Sequence, residues 1–452
     1  MPYLGNTPTT QSFISGTDYF NGTGSQTAFT LSRTVASIND IQVTVNNVVQ
    51  QPNDAYTISG TTLTMTSAPS AGTNNVYVRY LSTTTQAITP SQNTVSWSTL
   101  DSNVQGDLGI SFKNRIINSN MVIDQRNAGA SVNPTDGQYC IDRWILFTSQ
   151  ASKYTAQQNA GSVTPPVGFT NYLGITSSSA YSITSSDYFI VEQKIEGFNV
   201  ADLNWGSANA KTVTLSFWVR SSLTGTFGGV LKNSAGNRSY PFTYTISAAN
   251  TWEYETITIV GDTTGTWLTT NGTGIRLQFG LGVGSSLSGP AGAWAAVGYA
   301  SATGATSVVG TNGATFYITG VQLEVGTQAT TFTTAGGSYG AELALCQRYF
   351  QKSFATETAP ANGLGDYSFQ WNSGGAYNVI TSQLKVSMRA TPTNTFYNPR
   401  SGGTAGYMTD GTNDYTVRNS NWNNNFVGID SYPQGALSSK TLYVMWTSSA
   451  EL

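Results

Sequence analysis

Glu253 and Glu255 stand two apart in the alternating stretch Trp252-Glu253-Tyr254-Glu255-Thr256-Ile257. On a β-strand such residues share one face with Cα atoms about 6.6 Å apart, a spacing at which paired carboxylates can cleave a glycosidic bond. Glycosidases flank that bond from opposing walls, however, whereas neighbours along one strand stand side by side. The plainer reading is a solvated acidic face. Glu192 and Glu196 share a strand face at about twice that separation, and Lys194 between them gives the pattern of ordinary surface charge. The chain has no histidine, which removes the usual base of Ser/His and Cys/His pairs and the commonest zinc and iron ligand. A lysine base stays open. No Asp-x-Asp-x-Asp-Gly run occurs and the acids are scattered, so no catalytic residue, metal ligand or cofactor is assigned. A structural Ca²⁺ held by loop carbonyls would leave no trace in the sequence.

Sugar binding has a different signature: aromatic faces for stacking on pyranose rings, with short amides and hydroxyls around them. The densest case is Asn419-Ser420-Asn421-Trp422-Asn423-Asn424-Asn425-Phe426, where a Trp and a Phe lie among five asparagines on an expected loop. Asn421, Trp422, Asn423, Asn424 and Phe426 are therefore glycan-binding candidates, with core anchoring of Trp422 as the alternative. Trp294 and Tyr299 are further candidates. They lie in a Gly/Ser/Ala-rich stretch, 282–313, of a length that usually signals function or disorder. Core packing is again the alternative for Trp294. Trp371, Tyr377, Tyr397 and Tyr407 form a third aromatic group near the C-terminus, at least half of it expected in the core.

These side chains need elements to hold them. At 452 residues the chain has length for about three domains. Charged residues make up 10% and aromatics 12%, in a background of Thr, Ser, Asn and Gly, a profile of an all-β surface. Net charge is −3 without a basic cluster, so no nucleic-acid partner is expected. No charged-then-apolar leader and no run of 18 apolar residues is present, and a soluble protein made in a cytosol, without membrane insertion, is expected. Cys140 and Cys346 read as free, buried thiols.

Residues 1–84 read as a small N-terminal β module. Its signals are the alternation of 41–45, the Asn46-Asn47 turn before Val48-Val49, and a bend at Gly60. Residues 85–117 read as a linker whose apolar Val104, Leu108, Ile116 and Ile117 serve either trimer packing or docking on the next domain. From 118 to 334, strands bounded by Gly, Ser, Asn and Pro point to an antiparallel jelly-roll sandwich. Its clearest strand sets Val213, Leu215, Phe217 and Val219 against Thr214, Ser216, Trp218 and Arg220. At 315–325 the apolar set changes parity after Gly320, which predicts a bulge. A short helix over 342–350 opens a C-terminal β domain, 335–452, whose last strand, 442–446, lies six residues from the end, so loss of the C-terminus is expected to be damaging.

Five motifs occur in the order in which they are found in tail-fibre proteins of tailed bacteriophages, and the chain resembles that family. They are Asp142-Arg143-Trp144, 215–220 (LSFWVR), 316–326 (FYITGVQLEVG), 342–350 (ELALCQRYF) and 388–392 (MRATP). The first module, with 43–50 (VTVNNVVQ), 56–60 (YTISG) and 76–80 (VYVRY), is similar to domains that fasten such fibres to the tail. The middle domain resembles carbohydrate-binding jelly rolls. The resemblance implies a homotrimeric virion fibre, assembled in the host cytoplasm. It would be held to adaptor or nozzle proteins of the tail by its N-terminal module and would adsorb to host polysaccharide or lipopolysaccharide at its C-terminal end. A capsule-degrading tailspike glycosidase and a capsid decoration or spacer fibre are the alternatives.

Overall fold

A computed structural model describes residues 16–81, 112–366, 370–372, 380–419, 425–432 and 441–452. Two compact units, Met1–Ser96 and Trp97–Leu452, divide the chain. The protein is all-β and antiparallel throughout its larger sheets.

The first unit carries β1 (Thr17–Gly22), β2 (Ala28–Thr30), β3 (Ile41–Val45), β4 (Val48–Val49), β5 (Tyr56–Ser59), β6 (Thr62–Met65) and β7 (Gly72–Tyr80). They form the sheets β1-β7-β3-β4 and β2-β6-β5. Asn46 and Asn47 take φ values of 46° and 63°, the left-handed pair that a two-residue hairpin requires. Phe29, Val43, Tyr56, Leu63, Val76 and Val78 meet in its core.

The second unit begins with a sandwich. Its strands are β8 (Gln138–Ile141), β9 (Trp144–Thr148), β10 (Tyr154–Gln158), β11 (Leu173–Ser177), β12 (Tyr188–Glu196), β13 (Val213–Ser221) and β14 (Gly225–Asn233), then β15 (Ser239–Ile246), β16 (Glu253–Ile259), β17 (Thr273–Val283) and, after the two-residue strands β18 (Ser288–Gly289) and β19 (Ser301–Ala302), β20 (Thr315–Val325). Sheet β10-β11-β20-β13-β16 faces sheet β15-β14-β17-β12-β9-β8 in a jelly-roll type sandwich. Leu215, Phe217 and Val219 of β13 lie in the shared core with Phe189, Val191, Leu277 and Phe279. Ile116 joins that core, and Ile117 packs with Cys346 and Tyr349, so these two residues dock on the sandwich. Val104 and Leu108 lie outside the described residues. Both cysteines are free and buried.

The bulge forms where the parity changes. Ser216 pairs with Gln322 and Trp218 with Thr319, so β20 uses one more residue than β13 over this step. Gly320 sits there at φ 62°, and a Cβ on it would lie 2.6 Å from Cζ of Phe169. Gly320→Ala should therefore cost about 2–3 kcal/mol, from left-handed strain plus overpacking. Gly313, at φ 73° with nothing within 4 Å of a built Cβ, should cost about 1 kcal/mol from strain alone. Calorimetric unfolding of the two variants checks the difference; equal shifts would refute the packing part.

Beyond the sandwich, α1 (Tyr339–Gln347) starts on a Ser338 cap, three residues ahead of the sequence expectation. The strands that follow are β21 (Phe350–Lys352), β22 (Gln370–Asn372), β23 (Ile380–Gln383), β24 (Thr393–Tyr397), β25 (Tyr407–Thr409), β26 (Asp414–Asn419), β27 (Phe426–Tyr432), β28 (Thr441–Tyr443) and β29 (Met445–Ser449). Sheets β21-β29-β24 and β22-β28-β25-β26-β27-β23 result. Residues 384–388 are irregular: Lys385 N–H and Val386 C=O bond to the Gln351 side chain and Leu384 N–H to the Asn425 carbonyl. One expectation is corrected. The stretch 442–446 breaks at Val444 into two strands that belong to different sheets.

Buried charges join these sheets to the sandwich. Arg348 grips Glu196 through Nε and Nη2 at 2.9 and 2.6 Å, and the Tyr349 hydroxyl donates to the same carboxylate at 2.6 Å. Glu451 receives both Arg126 and Arg143. The Arg143 guanidinium stacks 3.6 Å from the centroid of Tyr349, and Lys194 donates to the Leu452 carbonyl at 2.6 Å. Glu192 and Glu196 are thus buried ion-pair members, not surface charge. The reason is that both faces of β12 are covered, one by the core and the other by neighbouring arginines.

Candidate functional site

Alternation decides what the six-stranded sheet presents on its side away from the core. Ile275, Leu277 and Phe279 of β17 turn inward, which leaves Arg276 and Gln278 outward; Phe189 and Val191 of β12 turn inward, which leaves Tyr188, Ile190 and Glu192. Register then aligns them across strands. Lys232 of β14 is opposite Arg276, Gln278 is opposite Glu192, and Ile190 is opposite Phe147 of β9. Over this face runs the segment from β18 to β19. It approaches closely because the sheet beneath is glycine: a Cβ on Gly228 or Gly280 would lie 2.6 or 2.7 Å from Ser301 Oγ.

Between sheet and segment lies a cavity of about 290 Å³, at the lower end of the range typical of small-ligand sites. Phe147, Tyr188, Ile190 and Leu287 give it apolar walls, and Gly298 and Ala300 close it from the segment side. Lys232, Arg276, Gln278 and Asp136 supply its polar groups. Three of the charges around it are engaged. Arg276 holds the fully buried Glu192 in a forked pair, Nε at 2.9 Å and Nη2 at 2.7 Å, and Gln278 Nε2 donates to the same carboxylate. At the exposed rim, Asp136 accepts from Thr148 N–H at 3.0 Å and from the Tyr188 hydroxyl at 3.3 Å.

Lys232 is the exception. It is only 8% exposed, and among the described residues its ammonium makes neither a hydrogen bond nor an ion pair. Burial, with the Arg276 charge beside it and Glu192 opposing, pushes its ammonium down to about 8. Gln278, 1% exposed, has its Oε1 without a partner. The fold thus leaves a buried acceptor unsatisfied, at a cost in stability, and an ammonium without a protein partner on the cavity wall.

The candidates named from sequence fall elsewhere. Asn421, Trp422, Asn423 and Asn424 lie outside the described residues, and Phe426 opens β27 opposite Gln383. Trp294 anchors the covering segment to the core: its ring meets Trp205, Trp267 and Tyr240 edge-on at 5.3–5.4 Å, and its Nε1 donates to Val260 C=O at 2.7 Å. Tyr299 lies over Gly289, and its backbone N–H donates to Ser239 Oγ at 3.2 Å. Both therefore shape the cavity's cover. Trp294→Ala should lower stability by about 3 kcal/mol and make the 282–313 stretch the first site of proteolytic nicking; an unchanged digestion pattern would argue against the anchor. Of the third aromatic group, Tyr397 packs against Phe354 and Tyr407 is half-buried on β25.

Glu253 and Glu255 are corrected as well. They share the half-buried face of β16 with Ile257 and Ile259, and the solvated face carries Tyr254, Thr256 and Thr258. Glu253 caps a turn through Ser247 and Ala248 N–H groups. Burial first, then Glu253, raises the Glu255 carboxyl.

Lys232, Arg276 and Gln278 were not singled out from sequence, and Glu192 was read there as surface charge. Their signal is a charged or amide residue at every second place inside otherwise apolar strands, as in Ile275-Arg276-Leu277-Gln278-Phe279.

No known sequence family and no curated protein matches the chain. Solved structures similar to it include the enzymatically active domain of bacteriophage CBA120 tailspike protein 4. That likeness has 12% identity and a TM-score of 0.26, and covers 47% of this chain and 21% of that one. A putative sugar binding protein from Bacteroides thetaiotaomicron gives 13%, TM-score 0.27, and 47% and 100% coverage. A family 11 carbohydrate-binding module from Clostridium thermocellum, in complex with a β-1,3-1,4-mixed-linked tetrasaccharide, gives 10%, TM-score 0.22, and 42% and 92%. Likenesses this slight carry no argument.

Proposed function

We propose that the chain is a non-enzymatic glycan-binding protein whose sandwich holds one sugar residue in the cavity over β14, β17, β12 and β9. The observation that carries this reading is the cavity itself, whose lining sets the residues Phe147 and Tyr188 beside Lys232 and the unpartnered Gln278 Oε1. Sugar rings offer the matching pair of surfaces, an apolar face and a rim of hydroxyls. The resemblance of the five motifs to those of tail fibres supports a setting for this binding, a trimeric fibre fastened to phage tail proteins by its N-terminal module and adsorbing the virion to host polysaccharide. Three copies per fibre would turn weak single contacts into firm adhesion.

Hydrolysis is the less favoured reading, because Glu192 is engaged by Arg276 and Gln278 and Asp136 by Thr148 and Tyr188. The test is to incubate the purified chain with a broad glycan array and with host capsular or lipopolysaccharide. Binding without loss of polymer length is expected. A shortened polymer would establish the glycosidase instead, and no binding to any glycan would overturn the proposal.

A further inference from the structure

We infer that the sugar taken by this cavity carries one negative charge, a carboxylate or a sulfate ester, held by Lys232, with a neighbouring ligand hydroxyl donating to Gln278 Oε1; this rests on the glycan-binding reading above. Charge bookkeeping around the cavity sets the number. Arg276 and Glu192 neutralise each other in a forked pair. Asp136 stands at the exposed rim, where it accepts from Thr148 N–H and the Tyr188 hydroxyl and, among the described residues, forms no ion pair. One buried cation is therefore left over. It stands directly across the ladder from another, Arg276, a like-charge placement that destabilises a sheet unless something answers it.

Nothing in the packing calls for a lysine there. An apolar residue at 232 would extend the apolar part of the wall that Phe147, Ile190, Leu287 and Ala300 already form. A buried charge without a partner on a preformed cavity wall is the arrangement expected when the partner is a ligand. Desolvation also makes the pairing selective. A neutral sugar would leave the ammonium buried and unmatched, whereas an anion of one charge would complete it. The unpaired Gln278 Oε1 adds a demand for a donor, which a sugar hydroxyl meets and a bare inorganic anion does not.

The experiment is calorimetric titration of the full chain with two matched pairs: oligogalacturonate against its carboxyl-reduced form, and κ-carrageenan oligomers against their desulfated form. The same chain is applied to an array of acidic and neutral glycans. Binding at least tenfold tighter for one charged member than for its neutral counterpart is expected, and Lys232→Met should erase the difference while Lys232→Arg keeps part of it. The comparison of matched ligands on the unaltered chain stands even if a variant fails to fold. The array tells the two charge sources apart by which acidic glycans bind. Equal binding of charged and neutral glycans, or binding of neutral ones alone, would overturn this inference and leave glycan binding intact. Absence of binding across the array would overturn both.

Discussion

Glu451→Ala should lower the stability of the second unit by about 3–5 kcal/mol, the cost of leaving a buried charge without its partner. Glu451 is the next-to-last residue of the sequence and receives both Arg126 and Arg143. Arg143 is 1% exposed, and its other contacts are the Lys194 carbonyl and the face of Tyr349, neither of which neutralises it. Glu451→Gln keeps the shape and removes the charge, so a smaller loss is expected. Deletion of the final two residues should cost at least as much as the alanine, because the Leu452 carbonyl that accepts from Lys194 goes too. Thermal and denaturant unfolding of the three variants measures this; midpoints within one degree of the parent would mean that the arginines are hydrated.

Lys232→Met should act in the opposite direction and stabilise the protein by about 1–3 kcal/mol at pH 7. The ordinary lysine value is 10.5, and in the fold the ammonium is held at about 8. Between these two values the unfolded chain binds a proton that the folded chain does not, so stability rises with pH across that window. Below pH 8 the full cost of the buried charge is present, and replacing the lysine removes it. The advantage of the variant should therefore shrink from pH 8 to 10.5, which a series of melting curves would follow. A variant that melts lower than the parent at pH 7 would refute the account. Lys352 is also lowered to about 8 by burial, yet its Nζ donates to the carbonyls of Gln125 and Thr358. Lys352→Met would orphan those acceptors and should destabilise. The two lysines share a shift and differ in partners, and partners decide the sign.

The strands most easily read from sequence were those with one apolar face or a sharp parity change. β13 and the Gly320 bulge of β20 are the clearest, since alternation and a single glycine specify both. β14 was missed because Gly228-Gly229 interrupts it. Its glycines are there for the chain that crosses above, and that is a tertiary demand with no local mark. The same holds for the cavity. Lys232 comes from β14, Arg276 and Gln278 from β17 and Glu192 from β12, so only register brings Lys232 beside Arg276 and Gln278 beside Glu192. Glu192 and Glu196 misled for a related reason: a charged residue on a strand usually faces water, and here arginines from β17 and from the chain just beyond α1 cover them. Trp294 and Tyr299 drew notice by residue type. They lie in the segment that roofs the cavity, but as its fastenings.

That roof is fixed at two aromatic points, and most of what lies around them is Gly, Ala and Ser. Residues of the roof such as Leu287, Gly298 and Ala300 meet the cavity without belonging to either large sheet. Under the proposed reading, the groups that would set charge preference lie in the strands, and part of the wall that would set shape preference lies in the surface crossing. Substitutions in the crossing can therefore reshape that part of the wall while the strands beneath, and the fold with them, stay unchanged.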